Sequence, residues 1–264
     1  MLKLDAYKLK WIAIIGMIFN HMVITWWEIL PLWLSFPLYA AGGLTFPIMA
    51  YFVVEGYRHT SSLGRYMLRL LVFGMIAVPF HILAIGVPVG GGNPMVYPWL
   101  NILFSIVLSL IVLRLYDKIK IRALFWILYV IAFVPIALIF FEWSFIGVTM
   151  VLLYHIIRGE SARRIVPPIF SGVCFLVFGF LAAAAPTPPG MDVSNMLAFD
   201  PGFTRIMPTF AIGCVLAALL IKNYTGERGK RMKWLFYSFY PVHLAVLAIV
   251  ALALGLIDLS VFGL

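Results

Sequence analysis

The chain has 264 residues, of which 64% are hydrophobic and 11% are charged, and its mean hydropathy is +1.07. Soluble domains carry about 25% charged residues, so this composition excludes an ordinary soluble domain. The formal net charge of +9 does not indicate a nucleic-acid partner, because the basic residues lie between apolar runs rather than along one polar face.

Apolar runs separated by short polar turns divide the chain into segments of the length that crosses a bilayer. They predict an all-α fold, a polytopic membrane helix bundle of about nine transmembrane helices that forms a single transmembrane domain over residues 1–264. The predicted spans are 11–27, 36–55, 69–88, 99–116, 123–141, 144–157, 167–185, 205–221 and 234–256.

Lys and Arg residues gather in alternate connections between these spans. All of them except Arg205 fall on the side that also holds the N-terminus. Because cytoplasmic loops carry an excess of Lys and Arg, we expect the N-terminus to be cytoplasmic.

Cys174 and Cys214 lie inside apolar segments, so we predict buried packing residues and no metal site.

Three histidines are predicted to lie at one depth. His21, His81 and His243 fall ten to twelve residues beyond a basic residue that marks the membrane surface. At the rise of an α-helix this is about 15–18 Å, the middle of a hydrocarbon core about 30 Å thick. An ionisable group at this depth is a functional candidate, although a single one can also be a neutral imidazole that ties two helices together.

The end of the second span carries a compact set of charges. Glu55 lies one turn before Arg58, so the two side chains can pair at i, i+3. One interpretation is a salt bridge at a helix end within a topology signal. The other is a site that meets a cytosolic anion.

The last span places Tyr237, Tyr240 and His243 on neighbouring parts of one helical face, and Pro241 favours a kink there. Asn101, early in the fourth span, either donates into a cavity or ties helices together. Position alone favours a surface role for His155 at a cytoplasmic end. Glu142, near an outer loop, is either a functional carboxylate or a solvated one, and the sequence does not separate the two.

Three pieces of the sequence carry a family resemblance: the first span from Lys10 to His21, FPIMAYFVVEGYRHT at 46–60, and FYSFYPVHL at 236–244. Together they resemble the TraX family, whose founding activity is N-acetylation of conjugative pilin, and the resemblance covers nearly the whole chain. The TraX pattern often has Asp directly before the first-span histidine, where this chain has Asn20. Glu55 is therefore expected to supply the charge.

A more distant resemblance is to the acyltransferase type 3 superfamily. In that superfamily a basic residue precedes a first-span histidine by eleven positions, the spacing of Lys10 and His21. Lys10 stands where Arg is usual, and Glu55-Gly56 replaces a Ser-Gly pair.

These resemblances imply a membrane-embedded acetyltransferase in a bacterial cytoplasmic (inner) membrane, with membrane lipid around it. It would move an acetyl group from cytosolic acetyl-CoA to an amine or hydroxyl acceptor, a protein N-terminus or a glycan. His21 would be the general base, Tyr240 or His243 the donor to the oxyanion, and Glu55 the orienting carboxylate. CoA phosphates would be bound by the basic residues Lys10, Arg58, His59, Arg65 and Arg69. Further substrate contacts would come from His81, Asn101 and Tyr237.

A second hypothesis comes from another class of protein. Three intramembrane histidines could form the relay of a small proton-coupled transporter or permease. No inverted repeat supports it, and the basic cluster would then serve topology alone.

Overall fold

The computed structural model describes residues 3–86, 100–138, 142–184, 201–230 and 232–257. These residues form helices and no strand, and an isolated bridge joins Leu4 to Tyr224. The prediction of an all-α fold is confirmed for this part of the chain.

The described residues contain eleven α-helices, and a π-helical turn, Ile82–Gly86, continues the fourth. The helices are α1 Ala6–Thr25, α2 Leu32–Gly42, α3 Thr45–His59, α4 Leu63–His81, α5 Ile102–Lys118, α6 Arg122–Leu138, α7 Ser144–Ile156, α8 Glu160–Ala184, α9 Pro201–Ile206, α10 Thr209–Lys222 and α11 Lys233–Ala253.

Six helical units of the described chain are long and apolar enough to cross a membrane. They are α1, α2 with α3, α4 with the π-helical turn, α8, α9 with α10, and α11. Membrane character is therefore supported, while the count of nine spans and the orientation of the N-terminus stay predictions. Residues 87, 88, 99, 139–141 and 185, which belong to four of the predicted spans, lie outside the described residues.

Most helix ends that carry the predicted cytoplasmic charges lie together. Leu4 bridges to Tyr224 just after α10, and Arg163 of α8 lies 3.5 Å from Glu55 of α3. We call this region the basic end: the beginnings of α1 and α8 with the ends of α3, α5, α7 and α10. In the described chain these helix ends therefore lie together at one end of the bundle.

The second predicted span is broken into two helices where it crosses α10. Gly43, between α2 and α3, packs directly on Gly213 of α10. A Cβ atom on Gly213 would overlap the Ala40 carbonyl oxygen and lie 2.7 Å from the Cα atom of Gly43. Only hydrogen side chains permit this backbone approach.

Replacing Gly213 with Ala is therefore expected to lower the free energy of unfolding by about 1–3 kcal/mol, the usual cost of overpacking a tight core. Thermal unfolding in detergent measures the effect. Gly64→Ala is the matched control, because a Cβ atom there meets nothing within 4 Å. Equal melting temperatures for the two variants would contradict the close crossing.

Candidate active site

Two of the predicted histidines are in direct contact. Nδ1 of His21 in α1 lies 2.7 Å from Nε2 of His243 in α11, and the rings stack with centroids 5.0 Å apart. His21 is 1% exposed and His243 is 6% exposed. The two histidines, predicted to lie at the same depth, are therefore in contact inside the bundle.

A carboxylate joins these imidazoles to the third one. Glu142 lies between α6 and α7, with Oε1 at 3.5 Å from Nε2 of His21 and Oε2 at 3.4 Å from Nε2 of His81. His81 is fully buried, and the Glu142 side chain is only 17% exposed. Of the two interpretations left open for Glu142, the structure therefore excludes a solvated loop carboxylate.

Four hydrogen bonds fix the position of Glu142. The Tyr240 hydroxyl and the Ile102 amide both donate to Oε2, each at 2.9 Å. The Glu142 amide donates to the Leu100 carbonyl at 3.0 Å, and the Ser105 hydroxyl donates to the carbonyl of Glu142. The carboxylate is therefore held by α5 and α11 and cannot swing away from the imidazoles.

The backbone next to Glu142 is strained. Trp143 has φ of 61°, in the left-handed region, which costs a non-glycine residue roughly 1–2 kcal/mol. Its ring packs at 4.5 Å from Phe46 and 4.9 Å from Phe175, measured between centroids. Strain held by surrounding packing is typical of functional sites, and here it lies at the turn that presents Glu142.

Hydrogen-bond geometry fixes the ring protons of the two histidines in contact. Nδ1 of His243 lies 2.9 Å from the Phe239 carbonyl oxygen, which can only accept, so this nitrogen carries a proton. In neutral His243, Nε2 then accepts from Nδ1–H of His21. In this tautomer Nε2 of His21 carries no proton and faces Glu142, so it can take up a proton beside that carboxylate.

Glu55 does not belong to this site. Its carboxylate lies 3.7 Å from Arg58 and 3.5 Å from Arg163 at the basic end. The expectation that Glu55 orients a catalytic histidine is therefore corrected, because Glu142 occupies that place. Tyr240 does lie in the site, but its hydroxyl donates to Glu142 and is not directed at a substrate.

Asn101 has a structural role. Its Oδ1 atom accepts from the Leu103 amide at 3.1 Å and caps α5, and its Nδ2 atom donates to the Gly74 carbonyl at 2.9 Å. Since both polar atoms of the side chain are engaged inside the bundle, the structure favours the interpretation that Asn101 ties helices together over its predicted contact with substrate. The cap instead positions the neighbouring Ile102 amide that holds Glu142.

A cavity of about 210 Å³ leads from the basic end toward the site. We call it the basic cavity. Its lining includes the cations Lys10, Arg228 and Lys230, and the aromatic side chains Phe52, Tyr66, Phe236 and Tyr237. Leu103, one residue after the Ile102 amide that binds Glu142, also lines it.

Only two of the five predicted CoA-binding residues lie at or next to the basic cavity. Lys10 lines the basic cavity, with its Nζ atom 4.9 Å from the ring centroids of Phe52 and Phe236. Nε of Arg69 donates to the Tyr237 hydroxyl at 3.4 Å.

The other three predicted residues point elsewhere. Arg58 lines a separate cavity, and His59 and Arg65 are exposed and line neither of the two. The expectation of one cluster of five basic residues is corrected, since Arg228 and Lys230 join Lys10 instead.

The sequence did contain a signal for Glu142. Helix α7 has 13 residues and is therefore about 20 Å long, well short of a hydrocarbon core of about 30 Å. With its C-terminal end at the basic end, its first turn must lie inside the membrane, and so must Glu142 just before it. Arg228 and Lys230 carry no such signal, because a basic loop also marks topology.

Comparison with known proteins identifies the family. The family model described as TraX protein matches residues 6–251. A probable fimbrial assembly protein FimC, serogroup H1, of Dichelobacter nodosus is 27% identical over 92% of this chain and 94% of its own length. No solved structure matches. The more distant acyltransferase type 3 resemblance stays a prediction, but the match over nearly the whole chain shows that this protein belongs to the TraX family.

Proposed function

We propose that this protein is a membrane-embedded acetyltransferase that uses acetyl-CoA as acyl donor. The observation that carries the proposal is the buried series Glu142, His21 and His243, with the basic cavity leading toward it. Membership of the TraX family and similarity to a probable fimbrial assembly protein favour a protein N-terminus on a surface fibre subunit as acceptor, with a glycan as the other choice. They also favour a bacterial inner membrane.

The basic cavity suits the donor. CoA carries a pyrophosphate and a 3′-phosphate, which cations bind well. Lys10, Arg228 and Lys230 supply three of them at one cavity. The thin pantetheine arm would pass along the aromatic lining, so that the thioester approaches Leu103 and then Glu142. On this proposal the basic end faces the cytosol.

His21 is the proposed general base. Its Nε2 atom takes the proton of the acceptor N–H or O–H as the acceptor attacks the thioester carbonyl. Glu142, 3.5 Å away, stabilises the imidazolium that forms. His243 accepts from Nδ1–H and so fixes the tautomer and the ring orientation. Base catalysis of this kind contributes about 10²- to 10⁴-fold.

His81 is the proposed donor to the oxyanion. Its Nδ1 atom is buried and has no hydrogen-bond partner among the described residues, whereas Tyr240 and His243 are both engaged. The tetrahedral intermediate collapses with cleavage of the carbon–sulfur bond. The proton on His21 then leaves with the CoA thiolate, so the products are acetylated acceptor and CoA thiol.

Opening of the site is required, because all three imidazoles are buried. The helices that carry two of them are irregular close to the rings. A π-helical turn follows His81 directly, and Pro241 lies two residues before His243. Such positions allow a helix to bend locally.

Removing the cations of the basic cavity is expected to weaken donor binding. In the variant Lys10→Gln with Arg228→Gln and Lys230→Gln, the KM for acetyl-CoA should rise at least about tenfold, with a smaller change in kcat, because the phosphates are bound away from the chemistry. The wild-type KM should also rise with salt, and that of the variant much less. Lys118→Gln with Lys120→Gln, on the same end but outside the cavity lining, is the control. An unchanged KM in the triple variant would indicate that these three residues do not bind the donor and act only as topology signals.

The proposed function is tested by label transfer. Purified protein is incubated with radiolabelled acetyl-CoA and a bacterial envelope fraction, and acid-stable label is counted in the envelope proteins and glycans. Transfer above a heat-treated control is expected. Uptake of label into sealed vesicles without transfer would instead indicate a transporter.

A further inference from the structure

A second, larger cavity lies at the basic end. It has a volume of about 710 Å³ and opens between the ends of α3, α5 and α7 and the beginning of α4. We call it the end cavity; its lining includes Tyr57, Arg58, Gly64, Arg114, Asp117 and His155. Helix α4 separates it from the basic cavity, because Met67 lines one and Leu70 lines the other. The proposed acetyl transfer makes no use of the end cavity.

The one carboxylate in this lining is fully engaged. Oδ2 of Asp117 accepts from the Tyr57 hydroxyl at 2.6 Å, and Oδ1 accepts from Nε2 of His155 at 2.8 Å. Burial alone would raise the pKa of Asp117, but these hydrogen bonds and the nearby cations hold it below its ordinary value. The carboxylate therefore stays ionised within this network. His155 was expected to be a surface residue, but its side chain is only 13% exposed and forms part of the cavity wall.

Two arginines give the cavity its positive character. Nη2 of Arg58 donates to the His155 carbonyl at 3.1 Å, which fixes the guanidinium at the cavity without neutralising it. Its distance of 3.7 Å to Glu55 is longer than that from Arg163 to the same carboxylate, 3.5 Å. Arg114, on α5, is exposed and lines the same cavity. The first turn of α4 adds the partial positive charge of its amide groups.

The flanks of the end cavity are apolar and outward-facing. Leu68, next to Met67, is 59% exposed, and Leu115, next to Arg114, is 45% exposed. In a membrane-spanning bundle such side chains face hydrocarbon. Cations that converge on a cavity beside a hydrocarbon surface match a ligand with a phosphate head and apolar tails.

We propose that the end cavity binds the phosphate headgroup of an anionic phospholipid. Arg58 and Arg114 contact the phosphate, and the acyl chains lie along the exposed faces of α4 and α5. Guanidinium groups suit this ligand because they bind phosphate oxygens in a bidentate manner.

Native mass spectrometry of the full chain in detergent, titrated with phosphatidylglycerol, tests this site. The variant Arg58→Gln with Arg114→Gln should bind the lipid about 10- to 30-fold more weakly, the effect of two phosphate-contacting cations. Lys118→Gln with Lys120→Gln removes the same charge outside the cavity lining and should change binding by less than about threefold.

A second variant distinguishes loss of lipid binding from misfolding. It is needed because Arg58 also donates a hydrogen bond to the end of α7. Gly64→Leu leaves every charge in place and fills open space at the cavity, because nothing lies within 4 Å of its Cβ position. It should also weaken phosphatidylglycerol binding at an unchanged melting temperature.

Three results would overturn the proposal. One is equal weakening in the two double variants, and another is full binding in all three variants. The third is pyrophosphate that binds with the same dependence on Arg58 and Arg114 while the lipid does not, which would assign the cavity to a soluble phosphate compound. None of these measurements requires acetyl transfer, so failure of the proposed function leaves this test intact.

Discussion

Replacing His21 with Ala is expected to abolish acetyl transfer while leaving the donor bound. The variant loses the proposed base, worth about 10²- to 10⁴-fold, and also the Nδ1–H group that holds His243. The affinity for CoA, measured by calorimetry, should stay within about twofold, because phosphate binding at the basic cavity is separate from the chemistry. His243→Ala should damage turnover at least as much as binding.

The control for this prediction is His59→Ala. His59 is an exposed histidine at the end of α3 whose ring bonds only to the Glu55 carbonyl within the described chain. Its removal should leave turnover close to wild type. A His21→Ala protein that keeps more than a tenth of wild-type turnover would rule out His21 as the base.

Glu142→Gln is expected to lower turnover about 10²-fold or more, since an imidazolium that forms beside a neutral amide lacks its partner. The substitution keeps the shape of the side chain, and an amide oxygen can still accept from Tyr240 and Ile102. The melting temperature should therefore change little compared with the turnover. Initial rates of label transfer at saturating acetyl-CoA measure the effect.

Glu55→Gln is the matched comparison for Glu142→Gln. Both variants remove one carboxylate charge, but Glu55 pairs with arginines at the basic end and contacts none of the three imidazoles of the proposed site. Its turnover should remain within a few-fold of wild type. The reverse result, a large loss in Glu55→Gln with little change in Glu142→Gln, would restore the assignment made from the sequence and remove Glu142 from the mechanism.

Helix positions were largely predictable because apolar runs are local features of the sequence. The predicted span 144–157 corresponds to α7, Ser144–Ile156, and 234–256 corresponds to α11, Lys233–Ala253. The break between α2 and α3 was not predictable in this way. It depends on the approach of Gly213 from a distant helix, which no local pattern records.

The candidate site divides in the same manner. The common depth of His21 and His243 was predictable, because the rise per residue is constant along each helix, but their direct contact was not. Glu142 was missed because its role depends on a left-handed backbone at Trp143 and on hydrogen bonds from two other helices. Charge patterns alone also could not show which arginines share a cavity, since every cation at the basic end fits the same topology rule.

The central claim is that the Glu142, His21 and His243 series transfers acetyl from acetyl-CoA to an acceptor. A paired assay of purified wild type and Glu142→Gln tests it most directly, with radiolabelled acetyl-CoA, an envelope acceptor fraction, and free CoA thiol and acceptor-bound label counted together. We expect wild type to release one CoA thiol for each acetyl group transferred, and Glu142→Gln to bind CoA normally while releasing almost none. Equal rates in the two proteins, or label that enters sealed vesicles as intact acetyl-CoA, would contradict the claim.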